Sequence, residues 1–290
     1  ALGSDRAEAL RRYADIERGQ CDEVRTAGQL VGIYIARHQH LTSNTLRAYR
    51  SYQRVLETVN AAAAPIMALD LGHMNQMIDE YKGRHTARNT ALFIKTVYAW
   101  AVSRGHIRVS PFTGMRLRGT SRRRRYLTNG EFNAAREHLE EKFRIAADLA
   151  YMLGLRVSEI RALKFADFKD GVVKIAQKKT KNFKYQQITD DVQAAVDRAK
   201  ALPGSIRGLH VVCNRQGKPY SEGTISKAFQ DALRAAGIQD ARFHDIRAKS
   251  ASDERETATD RLGHESAAST PRYLRKPVIA TPIRRLNDEK

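Results

Sequence analysis

The sequence predicts a mainly α-helical fold with a small β-sheet, divided into a helical bundle and a following mixed α/β domain. Three observations predict it. Apolar residues recur at helical spacing through most of the 290 residues. One interval alone, from Val172 to Ile188, reads as two strands around a polar turn. Near the middle, Arg116-Leu117-Arg118-Gly119-Thr120-Ser121-Arg122-Arg123-Arg124-Arg125 interrupts the apolar pattern and reads as a basic linker. The expected organisation is therefore an N-terminal helical segment over 1–24, a helical domain over 25–118, a linker over 119–125 and a second domain over 126–290.

Taken in order, the segment 1–24 reads as a short helix that begins near Asp5 and ends at Gly19. Leu30, Ile33, Tyr34 and Arg37 keep helical spacing, and Thr42-Ser43-Asn44 offers N-cap candidates for a helix through Tyr49, Tyr52, Val55 and Leu56. The Ala61–Pro65 run is a break. Two more helices follow, Leu71 to Tyr81 and Ala87 to Ser103, the latter stopped by Arg104-Gly105-His106. In the second half, Thr128 three residues before Glu131 forms a capping-box signature. Phe143, Ala146, Ala147, Ala150 and Leu153 mark one helix face that Gly154 closes, and strands are expected over Val172–Ala176 and Phe183–Ile188. The rest reads as mostly helical.

The 51 Lys and Arg against 32 Asp and Glu give a formal charge of +19. Such an excess suits a polyanion, because each neutralised phosphate releases counterions. No apolar run is long enough for a membrane span, and the first residues lack the regions of a signal peptide. Cys21 and Cys213 are too few and too far apart for a disulfide framework or a zinc knuckle, which fits a reducing cytoplasm. A Gly-Lys-Ser/Thr phosphate loop, His-Glu-x-x-His and close Cys/His spacings are all missing, so neither a cofactor nor a metal is expected.

What remains is a set of cations and one tyrosine. Leu153-Gly154-Leu155-Arg156-Val157-Ser158-Glu159 sets Arg156 at a helix N-terminus, where the guanidinium fork can face an anion. On its own a Gly-x-Arg step is a common surface turn. Gln177-Lys178-Lys179-Thr180-Lys181 forms the tip between the two strands, and lysines there ordinarily just stay in water. In Phe243-His244-Asp245-Ile246-Arg247, His244 and Arg247 share a helix face, so an imidazole and a guanidinium could co-bind one phosphate. Adjacent cations would also lower the histidine's pKa. Leu262-Gly263-His264 comes next, and Thr270-Pro271 is expected to cap a short helix with Tyr273 on its first turn.

In order and spacing, Arg, hairpin Lys, His-x-x-Arg, Gly-His and Tyr resemble the signature of the tyrosine site-specific recombinases of the phage integrase type. The resemblance implies a helical core-binding domain followed by a mixed α/β catalytic domain. It further implies that Tyr273 attacks a DNA phosphodiester, leaving a 3′-phosphotyrosine and a free 5′-hydroxyl, so that rejoining needs no ATP. Arg156 and Arg247 would clamp the non-bridging oxygens, Lys179 (or its neighbours Lys178 and Lys181) would protonate the leaving oxygen, and His244 and His264 would hold the phosphate or move protons. Glu159 would orient a neighbouring cation. Two features depart from the family's usual pattern: the interval between Arg247 and His264 is short, and Ser252-Asp253-Glu254-Arg255-Glu256 is unusually acidic.

Double-stranded DNA is the partner so implied, bound by a homotetramer on two sites, with accessory bending or directionality proteins and a bacterial cytoplasmic, nucleoid-associated location. Candidate DNA contacts are Arg47, Arg50, Lys82, Arg84, Arg88 and Lys95 in the first domain and Arg122, Arg123, Arg124 and Arg125 in the linker. The segment 1–24 resembles the stretch after an arm-binding domain in phage integrases, which leads to the expectation that the natural protein is longer. Two rival readings are a type IB topoisomerase-like enzyme, which would relax supercoils alone, and a regulator that binds DNA without cutting.

Overall fold

The computed structural model describes residues 24–117, 123–177, 182–202 and 209–277. The helix expected within 1–24 lies outside the described residues. The chain divides into two compact units, Ala1–Ser121 and Arg122–Lys290.

Among the described residues, the first unit holds four α-helices: α1 (Ala27–Arg37), α2 (Ser43–Thr58), α3 (Leu71–Glu80) and α4 (Arg84–Ser103). Local chemistry sets their ends. Thr26 and Gln29 form a capping box at α1, Thr42 caps α2 and Asp70 caps α3 through their side chains. Helix α4 closes in a Schellman turn, with the His106 N–H on Ala101 O at 2.9 Å and Gly105 N–H on Val102 O at 3.1 Å. It begins three residues before the expected Ala87, since Gly83 rather than a polar cap precedes it. Leu30, Val31, Leu56, Ile94, Val97, Tyr98 and Phe112 make the core, and the buried Tyr98 hydroxyl donates to Ile66 O at 2.8 Å.

The second unit begins with α5 (Asn129–Glu137), opened by the Thr128–Glu131 capping box, and α6 (Glu141–Met152). Then come α7 (Val157–Ala162) and a three-stranded antiparallel sheet of β1 (Phe168–Lys169), β2 (Val172–Ala176) and β3 (Phe183–Gln187) in that order. In the β2–β3 register Val173 faces Gln186 and Ile175 faces Lys184. Among the described residues, helices α8 (Asp190–Lys200), α9 (Glu222–Ala235), α10 (Phe243–Asp253) and α11 (Ala258–Leu262) come next, followed by a 3-10 turn over Ala267–Arg272. Its core gathers Leu127, Ile145, Leu149, Ile160, Val173, Ile175, Phe229 and Ile246. A smaller cluster of Ala251, Ala258 and Leu262 receives Tyr273 and Leu274. No described helix is long and apolar enough to cross a membrane.

One local expectation needs correction. Tyr273 follows the 3-10 turn as its C-cap, instead of lying on the first turn of a helix. Thr270 cannot act as the cap, because its hydroxyl is engaged by Thr259 Oγ1 and His264 Nδ1, each at 3.0 Å. Ser266 caps the turn instead, through Ala268 N–H.

Candidate active site

Two turns of the same design bring the cations into place. Helix α6 ends in a Schellman turn, with Leu155 N–H on Ala150 O at 3.0 Å and Gly154 at φ 59°, and Arg156 follows as the N-cap of α7. Helix α11 ends likewise, with His264 N–H on Thr259 O at 3.1 Å and Gly263 at φ 63°. Glycine is needed at both positions. Beyond the left-handed backbone, a Cβ on Gly154 would lie 3.0 Å from Leu262 Cδ2, and one on Gly263 only 2.2 Å from Gln177 Nε2.

Arg247, on α10, is fully buried between these turns. Its Nη1 donates to Gly154 O and its Nη2 to Leu262 O at 2.8 Å, while Nη2 lies 3.3 Å from His264 Nε2. Its Nε has no acceptor among the described residues, so part of the guanidinium's capacity for hydrogen bonding is unused. Burial pushes the Arg247 pKa down, and neighbouring Arg156 adds to the effect. Glu159, 3% exposed, offsets that repulsion: it accepts from Arg156 Nη1 at 2.6 Å and from Arg156 N–H at 2.9 Å, and lies 3.8 Å from Arg247 Nη1. The Arg156 side chain itself stays 32% exposed.

The tyrosine ring completes the cluster. Arg247 Cζ is 5.3 Å from the Tyr273 ring centroid, His264 lies 5.2 Å away and His244 5.6 Å away, centroid to centroid. Burial, then Arg247 and Arg156, push the His264 pKa down to about 4. His244 is lowered as well, by desolvation first and Arg247 second. His244 is exposed. Both shifts favour the neutral imidazole, and the His264 Nε2 lone pair faces the Arg247 N–H.

Helix α10 itself supplies part of this frame. Ser252 Oγ donates to Tyr273 O at 3.0 Å and accepts from Arg275 N–H at 2.7 Å. Arg275 Nη1 donates to Asp245 Oδ1 at 2.5 Å and to Arg125 O at 3.1 Å. Arg123 reaches the same carboxylate, Nη2 to Oδ2 at 2.9 Å. Burial pushes the Asp245 pKa up, but the hydrogen bonds from Arg123 and Arg275 outweigh it and hold the group below the usual carboxylate range. Asp253 accepts from Lys249 at 2.8 Å, from Tyr151 at 3.0 Å and from Tyr126.

Of the expected site residues, Arg156, His244, Arg247, His264 and Tyr273 are gathered here. Lys179 and its neighbours Lys178 and Lys181 lie outside the described residues, as does Arg122. Arg47, Arg50, Lys82 and Arg84 are exposed and Arg88 is half-buried. Lys95 donates to Met115 O at 2.8 Å, which commits its ammonium to the fold. In the linker Arg124 is exposed, whereas Arg123 is held by Asp240 and Asp245 and Arg125 by Glu131.

Lys184, Gln186, Gln177 and Arg275 gave no sign in the motif reading. A signal was present for the first two. In Phe183-Lys184-Tyr185-Gln186 the aromatics alternate with polar residues, and the aromatics face outward, Phe183 53% and Tyr185 62% exposed, while Lys184 is buried. Burial brings the Lys184 ammonium down to about 7 despite the nearby Glu159. No cluster of His, Cys, Asp and Glu able to hold a metal occurs among the described residues.

Known proteins share both the sequence pattern and the fold. The integrase of Escherichia phage HK022 is 27% identical over 228 residues, which cover 72% of this chain and 64% of that protein's length. A lambda integrase dimer bound to a COC′ core site superposes with a TM-score of 0.79 at 22% identity, covering 98% of this chain and 91% of that one. A lambda integrase tetramer bound to a Holliday junction gives 0.75 at 23%, covering 92% and 89%. The sequence model of the Phage integrase family matches residues 125–278, more than half of the chain and every part of the cluster just described, and the chain belongs to that family.

Proposed function

We infer that this chain is a site-specific DNA recombinase, cleaving and rejoining strands through a covalent bond to Tyr273. The observation that carries the reading is the convergence of Arg247, His244 and His264 on one tyrosine ring, all within 5.2 to 5.6 Å. A protein that only binds DNA has no need for a phenol surrounded by cations and neutral imidazoles.

In the step proposed, Tyr273 Oη attacks the scissile phosphorus, the bond to the 5′-oxygen breaks, and the 5′-hydroxyl leaves after taking up a proton. The negative charge of a bound phosphate would raise the pKa of the neighbouring imidazoles, and the phenolic proton passes to one of them, His264 or His244. Charge growing on the non-bridging oxygens is met by Arg247 and Arg156, fixed in advance by Glu159 and by backbone carbonyls. Lys179 is the proposed donor to the departing oxygen. Attack by a 5′-hydroxyl on the phosphotyrosine reverses the step and needs no external energy, since the ester retains the bond.

The chain spans 64% of the HK022 integrase. Supported by the DNA-bound lambda integrase dimer and tetramer, the proposed partner is duplex DNA, with four copies acting on two sites. Arg47, Arg50, Lys82, Arg84, Arg88 and Arg124 are the proposed phosphate contacts, and the bacterial cytoplasm, at the nucleoid, the proposed location. Bending or directionality proteins would join that assembly.

The test begins with duplexes that the protein selects by binding from a randomised library. Nicked suicide substrates carrying the selected site are incubated with the protein in EDTA and run on a denaturing gel. A covalent protein–DNA band is expected, absent with Tyr273→Phe. Binding without any covalent band would overturn the reading in favour of a regulator.

A further inference from the structure

Four side chains, the buried Lys184, Gln177 and Arg247 and the half-buried Gln186, donate to the carbonyls at the ends of α6 and α11. Lys184 Nζ donates to Leu153 O at 3.0 Å and to Arg261 O at 2.7 Å. Gln186 Nε2 reaches the same two carbonyls at 3.3 and 2.7 Å. Gln177 Nε2 donates to Gly263 O at 3.1 Å, and Arg247 to Gly154 O and Leu262 O. These are among the carbonyls that a helix end leaves without a partner. The Schellman turns satisfy those one turn further in.

Lys184 is 7% exposed. Burying an ammonium costs free energy that a methionine of similar shape would avoid. Its return is a pair of hydrogen bonds joining two helix ends distant in sequence. Each joined end leads within three residues to a side chain of the site: Leu153 to Arg156, and Arg261 to His264. Both ends rest on β3, so the distance between them is fixed by a strand and not by either helix.

We propose that Lys184 is a positioning residue, holding the Leu153–Arg156 and Arg261–His264 turns in register so that Arg156 and His264 meet one phosphate together. This rests on the recombinase reading above. Lys184 touches no reacting atom in this role and acts only through the backbone of those turns. Gln186 supports the same carbonyls, so loss of either side chain leaves one donor behind and the fold intact.

The experiment uses the full chain and the selected suicide duplex in two forms, one with the ordinary phosphodiester and one with sulfur in place of the bridging 5′-oxygen. A thiolate leaves without needing a proton, so the second form removes any requirement for an acid. Lys184→Met is expected to bind DNA within about twofold of wild type yet form the covalent complex about thirtyfold more slowly on both substrates, as small misplacements of catalytic groups do. Gln186→Leu is expected to lose about fivefold in the same pattern. In a His264→Ala background the Lys184→Met factor should drop below about tenfold, since part of the effect runs through His264.

A wild-type rate for Lys184→Met would overturn the proposal. So would recovery on the sulfur substrate, which would make Lys184 the proton donor, or an undiminished factor in the His264→Ala background. Should Lys184→Met fail to fold, Gln186→Leu decides, and a wild-type rate for that variant overturns the proposal equally. If wild-type protein binds the duplex but forms no covalent complex, the recombinase reading falls first, before any variant is compared.

Discussion

The two units bury very different things. Among the described residues, the first encloses an apolar and aromatic core in which Thr90 is the one buried non-aromatic polar side chain. The second buries Asp148, Glu159, Gln177, Lys184, Asp245, Arg247, Lys249, Ser250, Ser252 and Thr270. Apolar burial alone would make a stable domain of either. Taking so many polar groups out of water costs stability unless each is matched, and in the second unit Arg247, Ser252 and Thr270 are buried against the Tyr273 segment. The contrast separates a unit built for stability from one built to hold charges in fixed places.

Arg247 and Arg156 sharpen the contrast within the second unit, since the first is buried and the second a third exposed. Arg247→Ala is expected to slow covalent-complex formation by at least about 10³-fold and, by stranding Gly154 O and Leu262 O, to destabilise the unit by about 3 kcal/mol. Arg156→Ala should cost about 10²-fold in the same assay but less than about 1 kcal/mol in urea unfolding, because its ion pair is partly solvated. Trp100 is the chain's single tryptophan and lies in the first unit. Its fluorescence transition should therefore stay in place for both variants while far-UV ellipticity shifts for Arg247→Ala. Equal stability losses would break the distinction between a buried and an open cation.

The same contrast explains what the sequence made legible. In the first unit helical periodicity and caps at Thr42 and Gly105 located the helices, because propensity, pattern and packing agree there. Its exposed arginines carry no pattern that would separate a DNA contact from a solvated charge. In the second unit Arg156, His244, Arg247, His264 and Tyr273 were legible as an ordered set. The layer behind them was not. Asp245 and Arg275 lie thirty positions apart, and only the fold pairs them. Lys184 sits in a strand where aromatic neighbours mask its inward direction, and Thr270 looked like a cap because its two side-chain partners come from distant turns. Residues that touch a common substrate leave a recurring order in the chain. Residues that steady them do so through backbone carbonyls, which any sequence can supply.

Asp245 tests how far that second layer matters. Asp245→Asn keeps the shape but removes the charge shared by Arg123 and Arg275, leaving a buried Arg275 guanidinium facing a neutral amide. The expected outcome is about tenfold slower covalent-complex formation, with DNA affinity unchanged, and a loss of about 2 kcal/mol in urea unfolding. The Tyr273 segment is tied to Asp245 through Arg275, so Arg275→Met should give a similar defect, and the double variant little more than either alone. Full additivity would show that Asp245 steadies α10 by itself and has no bearing on the tyrosine.

The smallest expected effect is a pH dependence that differs between the units. An unfolded histidine titrates near ~6.5, whereas burial with Arg247 and Arg156 brings His264 down to about 4 in the fold. Above pH ~6.5 His264 is neutral in both states and its contribution to stability is fully present. As pH falls from ~6.5 toward 4 the unfolded chain takes up a proton that the fold refuses, so stability is lost over that window. His244, lowered in the same direction, adds to the loss. His264→Gln removes one such group. Between pH 7 and 5 the far-UV melting temperature of the DNA-free variant should therefore fall by about 2 °C less than that of wild type. His106, lowered by burial and by Arg37 and Arg104, gives the first unit an acid sensitivity of its own, and that sensitivity, followed through Trp100, should be the same in both proteins. If His264→Gln flattened the Trp100 curve as well, the two units would be unfolding as one, and the polar burial of the second would be supported in part by the apolar core of the first.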